Sequence, residues 1–286
     1  MTTPAFDPAQ YKARQLESWD DAAAGWRNWW ELIERPAQEV SDRLLDLANV
    51  RPGHRVLDVA TGIGEPAATA ARKVGPDGHV VATDMSPGML EIARERASSL
   101  GLNNLEFRET DTESLDVPEG SFDAALCRWG LMFLPDLGVA LARLRAALVP
   151  DGRFAASVWS EPSKTAMFSV TMGVMQSMLQ LQPPPPGTPT LFDLAEPGVL
   201  EEALRTAGFS GIQTERRTVT FEWPSVDVFV QFSHEVNAPL RAELARLSGE
   251  RRSEVLRAIA QAAQQYADQE GTVRMPNETI LVAAQR

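Results

Sequence analysis

The sequence predicts a doubly wound α/β fold with a mostly parallel sheet, and three observations carry that expectation. Short apolar runs recur along residues 55–159, helical stretches separate them, and Gly, Pro and Asp clusters bound each one. Strands alternating with helices of about ten to fifteen residues pair in parallel through right-handed crossovers, with helices on both faces of the sheet.

Ahead of that core, residues 8–50 read as helical, with Trp19, Trp26 and Trp30 on one face at spacings of seven and four, until Pro52-Gly53 breaks the pattern. Residues 55–60 are a buried strand, Thr61-Gly62-Ile63-Gly64 a turn, and Pro66 starts a helix, where its missing N–H and fixed φ are tolerated. Gly75-Pro76-Asp77-Gly78 ends that helix and a second strand spans residues 79–84. The rhythm continues with a helix at 86–100, a strand at 105–108, a helical turn or loop, a strand at 122–128, a helix at 137–148 and a strand at 152–159. Beyond Trp159 it changes. An uncharged Met-rich helix at about 165–181 and the run Pro183 to Pro186 precede a helix at 197–207, a strand near 212–219, a long helical stretch at 224–266 and a last strand at 277–284. Seven strands result. Three segments are expected: residues 1–50 as an N-terminal helical lid, 51–160 as the core, and 161–286 as the remaining strands with an inserted helical lid.

With 44% hydrophobic and 23% charged residues, the chain has a globular composition and not that of a disordered one. Its 27 Lys and Arg against 39 Asp and Glu give a charge of −12, which repels nucleic acid, and no basic run offsets it. Cys127 alone allows no intrachain disulfide. Asp7, Lys12, Arg14, Glu17, Asp20 and Asp21 leave no apolar stretch for a signal peptide, so a cytoplasmic location is the expectation. Residues 165–192 carry no charge, but Ser169, Thr171, Gln176, Ser177, Gln180, Gln182 and the prolines interrupt them, so no membrane span is expected.

Gly62-Ile63-Gly64-Glu65-Pro66-Ala67 satisfies the G-x-G-x-x-G/A spacing of a dinucleotide loop, with Asp84 following at the end of the second strand. The spacing alone admits a nicotinamide cofactor. Charge argues against one, because a pyrophosphate needs free backbone N–H groups and no anion at the helix N-terminus. Here Glu65 brings a negative charge, Pro66 removes an N–H, and Asp58 adds a second carboxylate expected to face the same crevice. Such a loop suits a cation. S-adenosylmethionine (SAM) carries a sulfonium and an ammonium but no phosphate, and its ribose hydroxyls need an acceptor pair such as the Asp84 carboxylate. Ligands of open α/β sheets bind beyond the carboxyl ends of the strands at the topological switch point. The loops there carry Asp58 to Gly64, Asp84-Met85, Asp111-Thr112 and Arg128-Trp129; Asp111 is a candidate acceptor for the adenine amino group and Met85 for packing on the base. Each acid also has a plainer reading. Asp58 could cap the next helix, Asp84 could begin the turn before Ser86-Pro87, and Asp111 could be one solvated acid beside Glu109 and Glu113.

Val56-Leu57-Asp58-Val59-Ala60-Thr61-Gly62-Ile63-Gly64, Thr83-Asp84-Met85-Ser86-Pro87-Gly88-Met89-Leu90, and Asp111 before Gly120-Ser121-Phe122-Asp123 resemble the class I SAM-dependent methyltransferases. With Met132-Phe133-Leu134-Pro135-Asp136 and Leu148-Val149-Pro150-Asp151-Gly152-Arg153, the chain is similar to the group of ubiquinone and menaquinone biosynthesis C-methyltransferases. The resemblance covers residues 51–159 specifically. It implies a Rossmann-like sheet with an antiparallel last strand, and SAM as cofactor. It implies also that the Ala60-to-Gly64 backbone, with Thr61 and Gly62, receives the methionine part, Asp84 the ribose, Asp111 and the Thr112 backbone the adenine, and the Arg128 carbonyl the ammonium. Ala60 departs from the first glycine usual in this loop, and Asp151 stands where a glycine often does.

The implied activity moves the sulfonium methyl to O, N or C of a small, partly apolar acceptor by in-line displacement, with catalysis from positioning and desolvation. A general base is needed only when the acceptor must lose a proton. No catalytic residue is assigned, and His234 is the only histidine considered as a base. Trp26, Trp30, Trp129, Met132, Met172 and Met175 are the acceptor-pocket candidates, although Trp and Met stripes at helical spacing also read as core packing. Cys127 reads as a buried small apolar residue, and no metal-ligand spacing joins His54, His79 and His234. A small-molecule acceptor, neither nucleic acid nor a membrane span, and a monomer or homodimer complete the expectation. The alternatives are a SAM-binding module without turnover, acting as sensor or partner, and a nicotinamide-dependent oxidoreductase.

Overall fold

The computed structural model describes residues 5–179, 181 and 183–286; Gln180 and Gln182, read from the sequence as interrupting the uncharged segment, lie outside the described residues. Strands β1 (Arg55–Val59), β2 (His79–Asp84), β3 (Leu105–Glu109), β4 (Phe122–Arg128), β5 (Leu148–Trp159), β6 (Ser210–Trp223) and β7 (Val273–Gln285) form one sheet in the order β3-β2-β1-β4-β5-β7-β6. β1 pairs in parallel with β2 and β4, β2 with β3 and β4 with β5, whereas β7 runs antiparallel to β5. The expected doubly wound, mostly parallel sheet with an antiparallel last strand is therefore the fold found. Strand order reverses between β1 and β4, which makes their carboxyl ends the switch point. Both strands are enclosed because helices cover both faces, hence their nearly continuous apolar runs.

The helices are α1 (Pro8–Leu47), α2 (Ala67–Val74), α3 (Pro87–Ser99), α4 (Leu137–Ala147), α5 (Ala166–Leu179), α6 (Val199–Thr206), α7 (Val226–Val236), α8 (Ala238–Ala245) and α9 (Gly249–Ala263). The single stretch expected over 224–266 is three helices. Asn237 accepts from the Leu240 N–H at 3.0 Å and Ser248 from the Arg251 N–H at 3.3 Å, so each side chain starts a new helix where the preceding one stops. β6 and β7 are longer than expected at both ends.

The chain divides into two compact units: Met1–Pro36 with Glu161–Thr188 and Thr218–Glu278, and Ala37–Ser160 with Pro189–Arg217 and Thr279–Arg286. The border between the two units thus falls inside α1, after Pro36. In the first unit Trp223 is fully buried among Phe229 and Phe232, with ring centroids at 4.9 and 5.3 Å, and Phe232 meets Trp29 edge-on at 5.9 Å. The Trp29 indole donates to Glu235 at 2.7 Å. A Cβ at Gly25 would lie 2.3 Å from the Glu235 carbonyl oxygen, so only glycine lets α1 approach the end of α7 this closely. In the second unit Val56, Leu57, Leu90, Leu126, Leu141 and Phe154 form the centre of the core. Arg43 forks onto Glu215 through bonds of 2.8 and 2.7 Å, tying the end of α1 to β6. Among the described residues no helix is long and apolar enough to cross a membrane.

Candidate functional site

The loop between β1 and α2 has an unusual backbone. Ala60, Gly62 and Gly64 all take positive φ, at 53°, 56° and 98°. Glycine does so freely; for Ala60 the left-handed region costs on the order of 1 kcal/mol. The departure from glycine at Ala60 is accommodated opposite it. A Cβ on Gly130 would lie 2.6 Å from the Ala60 Cβ and 2.8 Å from Cys127 Sγ, so the glycine after β4 leaves the room that the Ala60 methyl fills. Around Gly62 the space a Cβ would take is open, with nothing within 4 Å, and a ligand can reach the backbone there.

Carboxylates of the chain itself take up the loop's donors. Asp84 Oδ2 accepts the Gly62 N–H at 2.8 Å and Oδ1 the Ser86 N–H at 2.9 Å. Asp58 Oδ2 accepts the Thr61 hydroxyl at 2.6 Å and the Ala67 N–H, the first of α2, at 3.1 Å. Glu65 Oε2 accepts the Thr69 N–H at 3.1 Å and the Thr69 hydroxyl at 2.8 Å. The Gly64 and Ala68 N–H groups go to the Thr61 and Gly64 carbonyls. Two expectations change accordingly. Asp58 is fully buried and does cap α2, the plainer reading, while Oδ1 is left without a hydrogen-bond partner. Glu65 is not an open negative charge: only 5% exposed, it bonds back onto α2, with Arg72 and Arg96 each 3.9 Å from Oε1. Burial pushes the Asp58 carboxyl up to about 7, against the lowering effects of the Thr61 bond and the Arg128 charge.

Asp111 accepts the Glu113 N–H at 3.1 Å and so caps a 3₁₀ turn at Thr112–Ser114, in which Thr112 is buried. Met85 is half-buried beside Asp84. Arg128 ends β4, donates to Ser41 Oγ at 2.9 Å and lies over the Trp129 ring at 5.2 Å. Trp129 has φ +56°, which a bulky residue rarely adopts; it stacks on Trp159 at 4.3 Å and its indole donates to Thr279 at 2.9 Å. Met132 is buried in the turn that follows. Trp129 and Met132 thus belong to the second unit, while Trp26, Trp30, Met172 and Met175 belong to the first. There Trp26 meets Trp19 edge-on at 6.2 Å, Met175 is buried and Met172 is exposed. His234 is exposed on α7, its pKa lowered by partial burial of the ring and then by Arg241 and Arg252. Cys127 is buried in β4, which pushes its thiol up to about 12. No metal-holding cluster occurs among the described residues.

Sequence reasoning missed Ser41, Arg96 and Trp159. Their partners lie 87, 33 and 30 positions away, and none of the three stands in a recurring motif.

Residues 56–152 match the family model described as a methyltransferase domain. Over 124 residues the chain is 36% identical to the ubiquinone/menaquinone biosynthesis C-methyltransferase UbiE of Teredinibacter turnerae, covering 43% of this chain and 50% of that protein. The same enzyme of Pseudomonas putida is also 36% identical, with 43% and 48% covered. The chain therefore spans about half the length of the curated relatives it matches. Among solved structures, a Bacillus halodurans putative methyltransferase superposes with a TM-score of 0.57 at 18% identity, covering 86% of this chain and 97% of that one. The Burkholderia thailandensis 1,6-didemethyltoxoflavin-N1-methyltransferase, solved with its substrate and S-adenosylhomocysteine, gives 0.56 at 19% identity, covering 100% and 93%. At that identity the likeness is one of fold. The residues matched by the methyltransferase-domain model coincide with the β1-to-β5 core and its loop, and it is this part of the chain that is similar to the ubiquinone/menaquinone biosynthesis C-methyltransferases.

Proposed function

We propose that the chain is a SAM-dependent methyltransferase acting on a small, partly apolar acceptor. One observation carries the cofactor reading: the Gly62, Ala67 and Thr69 N–H groups, donors that a diphosphate would need, are held by Asp84, Asp58 and Glu65. A phosphate would have to displace three carboxylates of the chain. This argues against a nicotinamide dinucleotide more firmly than charge at the loop, since Glu65 is offset by arginines. The site fits SAM in its open approach to Gly62 and in the Asp84 carboxylate at the end of β2, an acceptor of the Gly62 and Ser86 N–H groups. Asp84 would hold the ribose hydroxyls, the Ala60-to-Gly64 backbone the methionine part with the Arg128 carbonyl at its ammonium, and Met85, Asp111 and Thr112 the adenine. When bound, SAM supplies a methyl group on a good leaving group. The chain's own task is then to orient an acceptor in line with it and to exclude water.

For the acceptor, Trp129 and Met132 follow β4 in the same unit as the cofactor loop. These suit an acceptor with an apolar body. The methylated atom, O, N or C, is assigned by supplying SAM with a labelled methyl group to quinols, phenols and amines and locating the label in the product. Titration calorimetry tests the cofactor reading: S-adenosylhomocysteine is expected to bind and NADH not to, and the reverse result removes it. Asp84→Ala is expected to weaken S-adenosylhomocysteine by about 2 kcal/mol, roughly thirtyfold.

A further inference from the structure

Glu65 and Ile63 share a partner that neither the loop motif nor the methyltransferase reading calls for. Arg96 on α3 donates through Nη1 to the Ile63 carbonyl, its Nη2 stands 3.9 Å from Glu65 Oε1, and its side chain is only 13% exposed. One turn earlier on the same helix, Ala93 touches the loop as well, since a Cβ on Gly64 would lie 3.2 Å from the Ala93 Cβ. We infer that Arg96 is a positioning residue for the cofactor loop, a clamp that fixes the Ile63 carbonyl and the Glu65 carboxylate together and thereby holds the Ala60-to-Gly64 backbone in its receiving form. The inference rests on the cofactor reading above.

The physical need for a clamp follows from the backbone. Ile63 stands between two glycines at positive φ, and glycine permits several orientations of the adjoining peptides. A charge-assisted bond to the Ile63 carbonyl selects one of them. The buried Glu65 carboxylate needs a cation nearby, and Arg72, the other candidate, is 46% exposed, against 13% for Arg96. A guanidinium fork can serve two acceptors at once, which a lysine ammonium at the same Cα does less well.

The test compares Arg96→Met, Arg96→Lys and Arg72→Met by calorimetry with two probes. S-adenosylhomocysteine carries the amino-acid portion that the loop would receive, and 5′-methylthioadenosine lacks it. Arg96→Met is expected to lose about tenfold in affinity for the first and, within about twofold, nothing for the second. Arg96→Lys should recover part of the loss, and Arg72→Met should change neither. Equal losses for both probes, or full S-adenosylhomocysteine affinity in a folded Arg96→Met protein, overturn the clamp. Should Arg96→Met not fold, hydrogen exchange on Arg96→Lys decides. Faster exchange confined to the Gly62 and Gly64 amides supports the clamp, and exchange equal to wild type overturns it. A wild-type protein that binds neither probe removes the cofactor reading itself, a result distinct from any of these.

Discussion

Three residues of one loop adopt left-handed backbone, and the one that is not glycine is matched by a glycine seventy positions along the chain. Ala60 and Gly130 form a complementary pair, so substitutions there are coupled. Gly130→Ala would drive its methyl into the Ala60 Cβ and Cys127 Sγ and is expected to destabilise by about 2 kcal/mol in urea unfolding. Ala60→Gly in the same chain should restore part of that loss, and strictly additive effects would contradict the pairing. Asp58 gives a pH dependence of definite sign. Its carboxyl, near 4 when unfolded, rises to about 7 in the fold because burial penalises the charge. Between those values the native state binds a proton that the unfolded state does not, so this group's contribution is full below about pH 4 and declines as pH climbs to 7. Comparing wild type with Asp58→Asn at pH 5 and pH 8, the wild type is expected to lose stability relative to the variant, by on the order of a few kcal/mol.

At the level of elements, the β1-to-β5 rhythm was legible in the sequence. Each strand is a short apolar run between Gly or Asp stops, and such runs are local. The break at Asn237 was there to be read too, an Asn two residues before Pro239 being a start signal, but the apolar spacing carries on across it and hides the boundary. Asn237→Ala is expected to cost about 1 kcal/mol through loss of the α8 cap, read from thermal or urea unfolding. The contact of α1 with β6 could not be foreseen, because Arg43 and Glu215 are 172 positions apart. The Arg43 fork holds the Glu215 carboxyl down at about 2. A depressed acid stabilises above its unfolded pKa, and the gain is lost as pH falls toward 2. Both side chains are about a third exposed, so Arg43→Met is expected to cost no more than about 1 kcal/mol at pH 7 and nothing near pH 2.

For the molecule as a whole, the cofactor reading predicts where ligand energy is felt. S-adenosylhomocysteine at a hundred times its Kd should stabilise the fold by about 2.7 kcal/mol. New hydrogen-exchange protection should appear at the four loops after β1 to β4, and protection elsewhere without these loops would refute the site. The sequence by itself determined the parallel core, the position of the glycine loop, and the residue types at the strand ends, because strand periodicity, turn chemistry and motif spacing are written in neighbouring residues. Tertiary structure alone decided what those residues touch. It turned Glu65 onto α2 beside two arginines, spent half of Asp58 on a helix cap, brought Arg96 to the loop and ran α1 through two units. Side-chain partners depend on how distant segments pack, and neither periodicity nor spacing along a chain records which distant segments will meet.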